Sequence, residues 1–222
     1  MATFVVTGAT RGIGREVVRL LADQTLVLVG RDVDALAALT GSMPDATAVV
    51  ADLADPSSLP AGGWPDRVDG VVHSAGVAAR VGVADTDAET YRQMFDLNVV
   101  GVAELTRRLL PGLRAAGGTV VLINSGQGLT VGPASAAYAA SKHALRAYAD
   151  ALRTDEPEVR VSTVYPGRVA TEMQRALRAQ EQAPYEPERY LAATTVARVV
   201  VDTLTLPDDA VLTDVRLVPR RG

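Results

Sequence analysis

The chain alternates short, almost continuously apolar runs with longer stretches whose apolar positions recur at helical spacing. The runs are Thr3–Thr7, Thr25–Val29, Thr47–Val50, Asp69–His73, Gly118–Asn124, Val159–Val164 and Val211–Val218. β-Branched and aliphatic residues fill both alternating sets of positions in most of them, as strands covered on both faces require. Between them, Ile13–Ala22, Val33–Leu39, Tyr91–Leu110, Ala136–Arg153 and Thr194–Leu204 show the recurrence of helices buried along one side. This alternation predicts right-handed crossovers and an α/β fold: a doubly wound parallel sheet, Rossmann-like, of about seven strands with helices on both faces. No linker, repeat or low-complexity tract interrupts the pattern, so a single domain over residues 1–222 is expected. The least regular stretch, 168–193, mixes Gln, Glu and Arg with Pro184 and Pro187 and reads as a short substrate loop with a helical portion.

Composition removes several kinds of chemistry. The 222 residues contain no cysteine, which excludes disulfides, thiolate metal sites and a cysteine nucleophile. His73 and His143 lie seventy residues apart and argue against a histidine-built metal centre, so no metal is expected. A net charge of -4 and few aromatics give nucleic acid no basic or stacking surface. No apolar run reaches the roughly 18 residues needed to span a bilayer. Met1–Val6 enters a strand at once, without a charged region or cleavage site. A soluble cytoplasmic protein with neither nucleic-acid nor membrane partners is expected.

The first apolar run leads into Thr7-Gly8-Ala9-Thr10-Arg11-Gly12-Ile13-Gly14, where a helix begins. Glycines there allow a tight turn and let backbone amides approach a pyrophosphate at the helix N-terminus. Tyr138 and Lys142, four residues apart on one predicted helix, share a face. A phenol near pKa 10 is a poor base at neutral pH, and a nearby cation brings it toward the working range. Ser125 ends a strand at the carboxyl edge, where open α/β sheets bind ligands.

Gly8-x-x-x-Gly12-x-Gly14 after a threonine resembles the short-chain dehydrogenase/reductase family, and the likeness runs through nearly the whole chain in order. Asp52-Leu53 follows the third strand, Ser74-Ala75-Gly76 the fourth, and Asn98 sits in a helical stretch. Ser125 lies thirteen residues before Tyr138, and Pro166-Gly167 with Val169 and Thr171 follows the sixth strand. The resemblance implies an oxidoreductase interconverting a carbonyl (ketone or aldehyde) and an alcohol by hydride transfer. Tyr138 would be its acid/base, Ser125 would hold the substrate oxygen, and Asn98 would anchor a water relay from Lys142. Gly8, Thr10, Arg11, Gly12, Ile13 and Gly14 would take the pyrophosphate, and Asp52 and Leu53 the adenine. Ser74, Ala75, Gly76, Tyr138, Lys142, Pro166, Gly167, Val169 and Thr171 would line the rest of the cofactor site. The family commonly has Asn-Asn-Ala-Gly where this chain has His73-Ser74-Ala75-Gly76. The segment between Thr171 and Thr194 is short for a family lid.

The second strand ends Gly30-Arg31-Asp32. Enzymes using NAD usually carry a carboxylate at the strand's last position, which here is Gly30. Arg31, with Arg11 opposite, could grip a 2′-phosphate, so NADP(H) is expected over NAD(H). Asp32 is a carboxylate beside that place and would repel a phosphate. Alternatives are a non-catalytic NADP(H)-binding sensor and an epimerase or dehydratase on the same fold. The substrate pocket is expected to be lined by Gly126–Leu129, Ala78–Val81 and the loop after Thr171. Ala137, Ala140, Ala144, Tyr148 and Ala151 form a small-residue stripe, from which a homodimer or homotetramer is expected. His73 reads as a core-edge residue, His143 as facing away from Lys142, and Trp64 as a plug over the sheet's edge.

Overall fold

The computed structural model describes residues 1–220. Its strands are β1 (Thr3–Thr7), β2 (Thr25–Gly30), β3 (Ala46–Val50), β4 (Gly70–His73), β5 (Thr119–Ile123), β6 (Arg160–Pro166), β7 (Val169–Ala170), β8 (Leu191–Ala192) and β9 (Asp214–Leu217). Its helices are α1 (Gly12–Leu20), α2 (Val33–Thr40), α3 (Ala88–Phe95), α4 (Gly101–Ala116), α5 (Ala136–Asp155), α6 (Glu172–Gln180) and α7 (Ala193–Leu204). Seven strands form one sheet in the order β3-β2-β1-β4-β5-β6-β9, and every pair in it is parallel. The expected Rossmann-like fold is therefore the observed one.

Side chains of β1 alternate between two apolar layers. Val5 faces Leu105, Leu109 and Leu113 of α4 and Leu145 and Leu152 of α5. Phe4 and Val6 face Val17 and Val18 of α1 and Val196 and Val200 of α7. Each such side chain, fully buried, contributes about 1.5–3 kcal/mol. Successive strands step outward from β1 in one direction to β3 and from β4 in the other to β9. That reversal opens a crevice at the carboxyl ends of β1 and β4.

The structure differs from the sequence pattern in three places. The single helix expected over Tyr91–Leu110 is α3 and α4, joined by a π-helical turn at Asp96–Val100. Moreover α4 does not stop before Pro111 but runs on to Ala116, and Gly117 then closes it in the left-handed region at φ 60°. A proline inside a helix costs about 3 kcal/mol or more. Here Leu109 and Leu113 are both buried, so packing carries the helix through. The last strand is Asp214–Leu217, shorter than the apolar run, because Val211 and Leu212 remain exposed and unpaired with the sheet. Within 168–193, α6 is flanked by the extra two-residue pair β7·β8, which draws the ends of the segment together. No helix among the described residues is long and apolar enough to cross a membrane.

Candidate active site

The turn after β1 is built for backbone, not side chains. Gly8 takes φ 64°, and a Cβ there would lie 2.8 Å from the Ala75 nitrogen. A Cβ on Gly14 would overlap the Gly8 carbonyl oxygen. Arg11 precedes the nine-residue α1 without a side-chain cap, which leaves the first-turn amides free for an anion. Thr10 and Ile13 are half-buried beside them. The Thr171 methyl comes within 3.5 Å of a Cβ built on Gly12, so the loop after β6 stands against the same turn. A nicotinamide nucleotide fits this cradle: it offers unsatisfied amides for the pyrophosphate in a turn whose own close backbone packing leaves no room for a side chain at Gly8 or Gly14.

Across the crevice, the Thr7 hydroxyl accepts hydrogen bonds from the amides of Ser74 (3.1 Å) and Ala75 (3.0 Å). The backbone of Ser74 and the side chain of Thr7 therefore hold this turn. His73 is buried, with its Nε2 2.9 Å from the Thr106 hydroxyl. Burial pushes its imidazole down to about 3, so it is neutral at physiological pH and belongs to the core.

At the other end of the crevice, α5 carries Tyr138 and Lys142 on one face. Lys142 is 5% exposed, and its ammonium donates to the Ile123 carbonyl at 3.0 Å. That ammonium lies 6.0 Å from the centre of the Tyr138 ring. Burial lowers the Lys142 pKa to about 8. Burial raises Tyr138 above the usual phenol value, while a hydrogen bond with Ser125 and the charge of Arg80 pull it back in part. Asn98 sits on the π-helical turn. Its Oδ1 accepts from the Val77 amide at 3.0 Å, and its Nδ2 donates to the Val77 carbonyl and to Ser141 Oγ, each at 3.0 Å. A Cβ on Gly76 would stand 3.1 Å from Asn98 Oδ1 and 3.9 Å from Lys142 Nζ, so these three residues meet.

A sequence profile described as short chain dehydrogenase matches residues 2–182. The chain belongs to the short-chain dehydrogenase/reductase family. It is 35% identical over 193 residues to dehydrogenase/reductase SDR family member 7B of Bos taurus, covering 78% of this chain and 59% of that protein. The chain thus spans under two thirds of that relative's length. It is 37% identical over 227 residues to an uncharacterised oxidoreductase of Mycobacterium tuberculosis (strain CDC 1551 / Oshkosh), with 97% and 90% coverage. Among solved structures it resembles an alcohol dehydrogenase from the archaeon Thermococcus sibiricus complexed with 5-hydroxy-NADP. The TM-score is 0.87 at 26% identity, over 100% of this chain and 98% of that one.

In this short-chain dehydrogenase/reductase the remaining sequence candidates separate by environment. Arg31 is 68% exposed and 3.4 Å from Asp52 Oδ2, while Arg11, also 68% exposed, lies 3.7 Å from Glu172. Asp32 caps α2 by accepting from the Ala35 amide at 2.9 Å, which gives its carboxylate a partner within its own helix. Leu53 is a core residue. The Gly167 amide donates to Leu217 at the end of Pro166-terminated β6, so the sheet uses it. The Val169 side chain is buried, and the Thr171 hydroxyl caps α6 through the Gln174 amide at 3.3 Å.

The sequence pattern missed Asn124, and it covered Arg80 only as a member of the pocket segment Ala78–Val81. Asn124 accepts from the Ser125 amide at 2.8 Å and donates to the Lys142 carbonyl at 3.0 Å, which ties the end of β5 to α5. Its position one residue before Ser125 was the only available signal. Arg80 acts on Tyr138 from a loop with no motif. Trp64 is half-buried against the α4 side of the core, and its indole donates to the Pro60 carbonyl at 3.2 Å. His143 bonds the Ala139 carbonyl at 2.9 Å along α5.

Proposed function

We propose that this chain is an NADP(H)-dependent oxidoreductase that interconverts a ketone or aldehyde and the matching alcohol, with Tyr138 as acid/base. The observation carrying this reading is the meeting of Ser125, Tyr138 and Lys142 beside the glycine turn, with the phenol kept protonated by burial. The nicotinamide nucleotide, when bound, supplies the hydride for reduction and accepts it in oxidation.

The chain's own groups do the rest. First-turn amides of α1 hold the pyrophosphate, and Asp52 flanks the adenine. Ser125 Oγ donates to the substrate oxygen and holds it against the phenol. In reduction the Tyr138 hydroxyl gives its proton to that oxygen as negative charge develops there; in oxidation it takes the proton back. Lys142, buried and fixed by the Ile123 carbonyl, provides a poorly screened positive charge that favours the phenolate left behind. Asn98, bonded to Val77 and Ser141, anchors the route by which a proton returns through Lys142. Arg31 and Arg11, exposed after β2 and in the glycine turn, would grip a 2′-phosphate, and the NADP derivative bound by the Thermococcus enzyme supports that reading. A homodimer or homotetramer through α5 completes the reading: Ala140 and Ala144 are half-buried and Ala151 exposed, which leaves small side chains for a second helix.

The test is NADPH consumption with a panel of aldehydes, ketones, quinones and 3-oxoacyl thioesters. Turnover of at least one, abolished in Tyr138→Phe, is expected. Tight NADPH binding with no turnover across the panel would favour a nucleotide sensor.

A further inference from the structure

One cluster of charges is not used by the chemistry above. Glu181, directly after α6, pairs with three guanidiniums: Arg80 at 3.0 Å, Arg168 at 3.3 Å and Arg178. Arg80, Arg178 and Glu181 are each less than one-fifth exposed, so their charges are only partly screened. Three cations share one carboxylate, which leaves excess positive charge in a chain whose net charge is -4. Arg168 and Arg178 continue into a cavity of about 400 Å³, where they are joined by Arg189, Tyr190, Glu186 and Pro219.

This cluster adjoins the acid/base. The Arg80 amide donates to Gln180 at 2.9 Å, and its guanidinium donates to the Pro133 carbonyl at 3.2 Å. Val81 bridges to Ser135, immediately before α5 and three residues from Tyr138. Arg80 therefore stands between the end of α6 and the first turn of the helix that bears the phenol.

We propose that the substrate carries a carboxylate close to its reacting carbonyl or alcohol, and that Arg80 binds it, with Arg168 and Arg178 extending the subsite toward the cavity. This rests on the reading of Tyr138 as the acid/base. A carboxylate is favoured because one already lodges among these guanidiniums: Glu181 shows that the nest accepts a planar, singly charged pair of oxygens. The proximity that makes Arg80 a specificity residue also accounts for its pull on the Tyr138 phenol. Glu181 acts as an internal competitor that holds the arginines in position when no acid is bound.

The experiment compares acetoacetate with methyl acetoacetate, a pair that differs in charge beside one ketone. The acid should be preferred in kcat/KM by about tenfold or more, the scale of a charge-assisted contact. Arg80→Gln should bring the acid-to-ester ratio toward one, and Arg80→Lys should keep part of it. Glu181→Gln should lower KM for the acid. An ester preferred over the acid, a ratio unmoved by Arg80→Gln, equal losses for both substrates in Glu181→Gln, or a preference for dihydroxyacetone phosphate over both would each overturn the proposal. Calorimetric titration with 3-hydroxybutyrate and its methyl ester separates this inference from the reading beneath it. Preferential, Arg80-dependent binding of the acid without turnover would uphold the subsite while the oxidoreductase reading failed. Turnover of neutral aldehydes without any preference for acids would do the reverse.

Discussion

The two ends of the crevice use the same kind of charge in opposite surroundings. At the α5 end, Lys142 is 5% exposed and bonds a neutral carbonyl; at the β2 end, Arg31 is 68% exposed and Arg11 likewise, each within 4 Å of a carboxylate. Burial of the ammonium costs solvation, and its pKa falls to about 8. An exposed pair is screened by salt and contributes little. On the proposed function the reaction belongs to the α5 end and the choice of nucleotide to the exposed end, where a single substitution would retune it.

Removing the phenol hydroxyl is the most severe way to test the buried end. Tyr138→Phe should lower kcat by about three orders of magnitude or more, with NADPH affinity within a few-fold, since the ring still packs. A variant that keeps most of its turnover would show that another group carries the proton. Lys142→Met should cost on the order of a hundredfold, because the developing phenolate loses its buried cation. A loss of only two- or three-fold would mean that the ammonium merely braces Ile123.

The exposed end should respond more mildly and more selectively. Arg31→Ala should weaken NADPH binding by about ten- to a hundredfold and NADH binding far less. Raising salt should erode wild-type NADPH affinity more than NADH affinity. Equal dissociation constants for the two nucleotides in the wild type would remove the 2′-phosphate from the account.

A separate effect, on stability and not on turnover, concerns His73, where the family resemblance implies asparagine. Its folded imidazole stays neutral down to about pH 3, whereas the unfolded one protonates near 6.5. The stability it contributes is thus fully present above 6.5 and lost by about 1.4 kcal/mol per pH unit below it. His73→Asn should flatten that acid limb in denaturant titrations, and an unchanged slope would place the acid sensitivity elsewhere.

How much of this was legible depended on whether the cause was local. Strands covered on both faces are apolar at most positions on either side, so β1, β4, β5 and much of β6 announced themselves. The glycine turn and the Tyr138–Lys142 pair are short-range spacings and could be read directly. The π-helical turn that carries Asn98 was hidden, because one extra residue in a helical turn leaves the apolar spacing nearly intact. The helix beyond Pro111 was hidden for the opposite reason: tertiary packing overrides a strong local breaker. Arg80 fell within the expected pocket segment Ala78–Val81, but its role could not be read there, because its partners Gln180 and Glu181 lie about a hundred residues away and meet it only once α6 has folded back over the loop after β4.

The central claim is that a half-buried, protonated phenol near a buried ammonium is the acid of the reaction, and the pH dependence of carbonyl reduction tests it most directly. Burial raises Tyr138 and lowers Lys142 to about 8, so at neutral pH the phenol holds its proton and most of the lysine its charge. Above about 8 the lysine goes neutral, the phenolate left by proton transfer loses its counter-charge, and the phenol becomes a weaker acid. The account predicts kcat/KM for reduction that is level through neutrality and falls as pH rises past about 8, with that break absent in Lys142→Met. A reduction rate that climbs through pH 8, or a break that survives the loss of Lys142, would contradict it.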